Sequence, residues 1–336
     1  MNRRAIALLS GGLDSTLAAK VMIDQEIELF ALNLTSPFCL CTPKDSCKSL
    51  SKRVSEELKI PLKVIYAGDE YLEIVRNPKF GYGKNMNPCI DCRIFMNKKA
   101  RNYMDEVDAS FIVTGEVLGQ RPMSQRRDAM NIIERESGLK GLILRPLSAK
   151  LLKVTKPEEE GVVERERLLN ISGRSRKPQL NMSKVYNLSE YLCGGAGCLL
   201  TDPGFSRRLK DHLSNNDKLN IRDINKLKVG RHYRFSSGGK LIVGRDEREN
   251  NRLQSIHQDG DLFIKVVDYE GPISLYSGKS FDEDLELITG ITLRYSDAPK
   301  NTVQKVRIFE NSEDDGKIVI GNSEVFESYN ALNYLI

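Results

Sequence analysis

The sequence predicts an α/β protein: a doubly wound parallel sheet followed by a second, β-rich α+β domain. Three observations predict it. Short apolar runs alternate with helix-like segments through the first ~150 residues. A glycine turn, Ser10-Gly11-Gly12-Leu13-Asp14-Ser15, joins the first apolar run to the first helix-like stretch. After about residue 215 the texture changes to short strand-like runs between Gly, Asp and Ser clusters. The expected domains are 1–150, an adaptor segment 151–212 completing the first, and 213–336.

The expected strands of the first domain are Ala5–Ser10, Ile27–Leu34, Leu62–Tyr66, Ser110–Thr114 and Leu142–Arg145. Leu50, Val54 and Leu58 form an i, i+4, i+8 stripe on one helix, and a second helix runs from Cys92 towards Met104. Pro157 with Glu158–Glu160 reads as a helix start. In the second domain, Tyr233–Phe235, Lys240–Gly244, Leu262–Val267, Ile273–Tyr276, Leu285–Tyr295, Val303–Phe309 and Lys317–Ile320 read as strands. A short apolar helix is expected near Val325–Leu335, and Glu313–Asp315 reads as a solvated turn.

Composition bounds the classes. The chain of 336 residues is 40% hydrophobic and 29% charged, as expected of a soluble protein. No apolar run approaches the ~20 residues that span a bilayer, and no secretory leader is expected. Seven cysteines, with the close pairs Cys89/Cys92 and Cys39/Cys41, suit a reducing, cytoplasmic setting. The three histidines, His212, His232 and His257, lie outside the N-terminal half, so a His-based mechanism is not expected there. A net charge of +5 permits a polyanionic partner.

The glycine turn carries the chemistry. Backbone N–H groups at a strand–helix turn converge on one point, and the helix dipole adds positive charge there. Ser10 and Ser15 add hydroxyl donors. Asp14 makes sense beside phosphates if it holds Mg²⁺ or orients a neighbour. No Gly-Lys-Ser/Thr closes the loop, so it is not a Walker motif. It resembles the SGGxDS loop of the ATP pyrophosphatase (PP-loop) superfamily, which has a Rossmann-like fold. That resemblance implies cleavage of ATP between its α and β phosphates. It places ATP on Ser10, Gly11, Gly12, Asp14 and Ser15, with adenine near Leu8 and Asn33 and the ribose or α-phosphate near Gly115.

Asn87-Pro88-Cys89-Ile90-Asp91-Cys92-Arg93 is the second signal. A Cys-x-x-Cys pair can share a metal or cluster or form a disulfide, and Arg93 would lower a thiol pKa. Cys198 is the expected third member, with Cys193 as an alternative. Three cysteines on a [4Fe-4S] cluster leave one iron open for a sulfide; a structural zinc half-site, buried thiols and a redox disulfide are the other readings. Cys39, Cys41 and Cys47 form a CxCx₅C group that is open between a metal site, a sulfur relay and simple packing.

Thr114-Gly115-Glu116-Val117-Leu118-Gly119-Gln120, Ser124-Gln125 and Leu144-Arg145-Pro146-Leu147 resemble segments of the ThiI-type tRNA 4-thiouridine synthases. Asn87-Pro88-x-x-x-Cys92 resembles the MnmA-type tRNA 2-thiouridylases, in which the cysteine in register with Cys92 is catalytic and an Asp stands where this chain has Cys89. Val229–Phe235 and Lys240–Asn250 resemble the RNA-binding domain of NFACT proteins. There Arg231, Arg234, Lys240, Arg245, Arg248 and Arg252 interleave with Tyr233 and Phe235, a pattern suited to phosphate contact and base stacking. Arg174, Arg176 and Lys177, with Arg121, Arg126 and Arg127, are further phosphate candidates.

Together these resemblances imply a tRNA sulfurtransferase using ATP, Mg²⁺ and a cluster on Cys89, Cys92 and Cys198. Cys92, Cys198 and Asp14 are the expected catalytic residues. Its partners would be tRNA and a sulfur donor, either sulfide or a cysteine desulfurase product. The alternatives are a PP-loop enzyme acting on a small molecule and a non-catalytic RNA-binding protein.

Overall fold

A computed structural model describes residues 1–39, 47–188, 197–311 and 315–336. Cys41, Cys193 and most of Glu313–Asp315 lie outside the described residues, as does the side chain of Cys47. The chain divides into two compact units, Met1–Asp202 and Pro203–Ile336.

The first unit holds strands β1 (Arg4–Leu8), β2 (Glu28–Thr35), β3 (Leu62–Tyr66), β4 (Phe111–Thr114) and β5 (Ile143–Leu144). Its helices are α1 (Leu13–Ile23), α2 (Cys47–Glu57), α3 (Asp69–Arg76), α4 (Cys89–Glu106), α5 (Arg127–Glu136), α6 (Lys156–Glu159) and α7 (Lys177–Val185). The strands pair in parallel in the order β3-β2-β1-β4-β5. Period-two alternation decides which layer each side chain joins. Ala5 and Ala7 of β1 pack with Leu17, Ala18 and Val21 of α1 on one face. Ile6 and Leu8 pack with Ala100, Tyr103 and Met104 of α4 on the other. The strand order reverses at β1, and a crevice opens at the carboxyl ends of such strands.

Residues 151–202 belong to this unit, and Val163, Leu168 and Ile171 join the α1 face of its core. The start expected at Pro157 is α6, with a reciprocal capping box between Thr155 and Glu158. Among the described residues no helix is long and apolar enough to cross a membrane.

The second unit is a six-stranded antiparallel sheet, ordered β11-β10-β8-β9-β7-β6. Its strands are β6 (Arg231–Arg234), β7 (Lys240–Val243), β8 (Leu262–Val266), β9 (Ser274–Ser277), β10 (Val303–Phe309) and β11 (Lys317–Asn322). The helices are α8 (Pro203–Asn215), α9 (Ile221–Leu227), α10 (Glu247–Ile256), α11 (Phe281–Arg294) and α12 (Val325–Ser328). One expectation is corrected: Leu285–Tyr295 is helix α11, not a strand. Its apolar run suits either period, but acidic Asp282, Glu283 and Asp284 open it and Arg294 closes it, complementing a helix dipole. Ile288 and Ile291 then pack on Val243, Ile264 and Val306 of the sheet.

Candidate active site

The carboxyl ends of β1, β2 and β4 border a cavity of about 280 Å³. The glycine turn forms one wall. Gly12 precedes α1 without any side chain capping the helix start, which leaves the donor end of the helix for a ligand. Gly11 sits at φ +77, and a Cβ there would lie 2.6 Å from Leu50 Cβ. The hydroxyls of Ser10 and Ser15 are 3.1 Å apart, and Ser15 Oγ donates to Gly12 O at 2.9 Å.

Asp14 is fixed from one side only. Gln120 Nε2 donates to Asp14 Oδ2 at 2.7 Å, and Gln179 Nε2 donates to Gln120 Oε1 at 3.1 Å. Gln179 is wholly buried on α7. Sequence reasoning missed this relay; the only signal was Gln120 within a quoted motif. The other oxygen, Asp14 Oδ1, is buried with no hydrogen-bond partner. A buried carboxylate oxygen without a donor, in the glycine turn, fits a divalent cation. Asn33 is held likewise, its Nδ2 donating to Leu9 O at 2.8 Å while its Oδ1 has no partner.

Gly115 lines the cavity. A Cβ there would lie 2.5 Å from Asp14 C and Ser15 N, so Gly115 makes room for the turn itself. Glu116 follows, 2% exposed, between Arg145 Nε at 3.0 Å and Arg93 Nε at 3.3 Å. Burial alone would raise its carboxyl pKa, but the two guanidinium groups more than offset that and hold it low.

Cys89 and Cys92 open α4, three residues apart on one helix face. Asp91 anchors the preceding segment by accepting from Lys79 N at 3.1 Å and Phe80 N at 3.0 Å. Cys198 arrives from the far end of the unit through a β-bridge to Cys39. Cys89, Cys92 and Cys198 therefore line the same cavity as the glycine turn. A second cavity of about 170 Å³ shares Cys92 and Cys198 with it and includes Cys39.

The expected thiol activation by Arg93 is corrected. Burial pushes the Cys198 thiol up to about 12. Burial also raises Cys92, and a hydrogen bond with Tyr71 and the charge of Arg93 offset only part of that. Cys89 is raised too, by burial and then by Cys92. Among the described residues no three His, Cys, Asp or Glu side chains converge at single-ion distance. An iron–sulfur cube separates its cysteine ligands more widely than one ion does, and three soft thiols around one cavity fit that group.

Of the other phosphate candidates, Arg121 and Arg176 line the cavity, and Arg174 and Lys177 are exposed beside it in sequence. Arg126 is paired with Asp128, and Arg127 donates to Leu151 O.

In the second unit several candidate side chains have structural work. Arg234 donates to both Asp211 oxygens, at 2.9 and 2.8 Å, and buried Lys240 donates to the same carboxylate at 3.0 Å. Arg245 pairs with Glu249, and the Arg231 guanidinium stacks 4.5 Å from the Tyr295 ring centroid. Arg248 and Arg252 are exposed on α10. The expectation of base stacking by Tyr233 and Phe235 is corrected, because they are 0% and 3% exposed core residues. The Gly244…Asn250 pattern is structural as well. Asn250 Oδ1 accepts from Ile273 N at 3.0 Å, and a Cβ on Gly244 would lie 2.1 Å from it.

Residues 1–154 match the family described as thiamine biosynthesis protein (ThiI), and residues 230–328 match the NFACT protein RNA binding domain. The chain is 30% identical over 154 residues to a "Probable tRNA sulfurtransferase" of Thermococcus kodakarensis, covering 43% of this chain and 36% of that one. It is 30% identical over 105 residues to the "tRNA-specific 2-thiouridylase MnmA" of Leptospira interrogans, covering 28% of each. The chain thus spans about a third of the length of the curated relatives it matches. Among solved structures, a 4-thiouridine synthetase–RNA complex with bound ATP aligns at 20% identity, covering 53% of this chain and 50% of that one, with a TM-score of 0.36.

Proposed function

We propose that this chain, a ThiI-family domain joined to an NFACT-type RNA-binding domain, is an ATP-dependent tRNA sulfurtransferase. The observation that carries the reading is one enclosure lined by both the pyrophosphate-type loop and three thiols. A uridine carbonyl oxygen attacks the α-phosphorus of ATP, the α–β phosphoanhydride breaks, and pyrophosphate leaves. The new O–P bond makes AMP the leaving group. A sulfur nucleophile then adds to the activated carbon, and the C–O bond breaks to release AMP.

The residues divide these tasks. The backbone of Ser10–Ser15 and the start of α1 receive the phosphates. Asp14 Oδ1 would hold Mg²⁺ against them, while Gln120 and Gln179 keep the carboxylate turned that way. Asn33 Oδ1 is an acceptor suited to the adenine amino group. Arg121 and Arg176 offset the charge of the tRNA backbone at the cavity mouth. Cys89, Cys92 and Cys198 would hold the [4Fe-4S] cluster, which supplies an open iron for carrying sulfide. Their raised pKa values mean that loading releases protons.

The experiment is AMP release from α-labelled ATP by the full chain. AMP is expected only when tRNA is present. Equal release without tRNA would move the reading to a small-molecule substrate. No release with tRNA and sulfide supplied would leave an RNA-binding protein without the activity.

A further inference from the structure

Cys39 lies outside the pair and third cysteine used above. It faces Cys198 in an isolated antiparallel bridge, with Leu199 N donating to Phe38 O at 2.9 Å. That bond runs between the residues flanking the pair, so Cys39 and Cys198 oppose each other at a non-hydrogen-bonded position. Such positions bring Cα atoms to about 4.5 Å and the side chains closest together. Disulfides form across Cα separations of about 4.4–6.8 Å, and those at the edge of the range are the more readily reduced. The two cysteines are thiols with partial exposure, and both line the 170 Å³ cavity that shares Cys92 with the candidate site. The rest of that wall is largely apolar, with Phe38, Tyr71 and Phe95 among its members.

We propose that Cys39 and Cys198 are a reversible dithiol–disulfide pair, and that closing it withdraws Cys198 from Cys89 and Cys92. Only this consequence rests on the sulfurtransferase reading; the pairing itself does not. A small disulfide oxidant drives the step. Cys39 Sγ attacks the oxidant, releasing one thiol and forming a mixed disulfide. Cys198 Sγ then attacks Cys39 Sγ, the mixed S–S bond breaks, and a second thiol leaves, the two protein protons passing to the departing sulfurs. Two protein thiols are oxidised by two electrons, and one oxidant disulfide is reduced to two thiols. A dithiol reductant reverses it. In the closed state Cys198 cannot ligate a cluster.

The test uses the full chain without ATP or tRNA, so its failure is separate from failure of the thiolation assay. The protein is titrated with oxidised glutathione, remaining thiols are alkylated, and the peptides are mapped by mass spectrometry. Cys39 and Cys198 should oxidise together to one linked peptide per chain and return to thiols with dithiothreitol, while Cys89 and Cys92 stay alkylated. Iron and sulfide uptake by the oxidised chain should fall at least ten-fold and recover on reduction. Cys39→Ser and Cys39→Ala, checked for an unchanged Tm, should lack the linked peptide. Pairing of either cysteine with any other partner, or a Cys39 that stays alkylated while Cys198 is oxidised, would overturn the proposal.

Discussion

At the scale of single residues, the proposed chemistry turns on Asp14. One oxygen is tied to Gln120 and the other is buried without a partner. Asp14→Asn keeps the size but removes the charge that would face Mg²⁺. It should lower tRNA-dependent AMP formation by about 100-fold, the scale of losing one preorganised electrostatic contact. Gly115→Ala tests the turn, because the new Cβ would meet Asp14 and Ser15 backbone at 2.5 Å. It should destabilise the chain by about 1–3 kcal/mol and weaken ATP binding measured by calorimetry. His232 makes a pH test in the other unit. It is 1% exposed, with Nε2 at 2.7 Å from the Val229 carbonyl oxygen, and burial holds its pKa well below 6.5. The unfolded chain therefore binds the extra proton first as pH falls. The stability that neutral His232 contributes is complete above about pH 6.5 and is lost as pH drops below it. The Tm of the full chain should fall between pH 7 and 5, and His232→Gln should flatten that fall.

At the scale of elements, α4 and its neighbours show why part of the site was legible. The glycine turn and the Cys-x-x-Cys pair are local, so backbone geometry and helix spacing place them without long-range information. Cys198 was named as a partner, but the bridge that delivers it is a pairing across the chain with Cys39. Gln179, 59 residues from Gln120, has no local signature either. Arg93 sits beside Cys92, yet its charge is directed to Glu116, and burial dominates the thiols. Proximity in sequence could not weigh desolvation against charge. Helix α11 was misread because a short apolar run fits two periods, and tertiary packing on the sheet decides between them. The Arg93–Glu116–Arg145 chain predicts that Glu116→Gln removes the charge between two guanidinium groups and leaves Arg145, 4% exposed, with Glu134 as its remaining carboxylate. Loss of about 1–3 kcal/mol is expected by denaturant titration.

At the scale of the whole molecule, two units carry two kinds of basic residue. Exposed Arg174 and Lys177 are available for phosphates, whereas Arg234 is bound to Asp211 within the second unit. Arg174→Ala with Lys177→Ala should weaken tRNA binding and flatten the log K against log salt plot by about one to two units. Arg234→Ala should instead lower stability by about 1–3 kcal/mol and leave the salt slope unchanged. Mass spectrometry of tRNA nucleosides after incubation with the full chain, ATP, Mg²⁺ and sulfide under anaerobic conditions tests the central claim most directly. Thiouridine should appear with AMP in equal amounts, and Cys92→Ala should form none while still binding ATP. Thiouridine formed undiminished by Cys92→Ala, or AMP accumulating with no thiolated nucleoside, would contradict it.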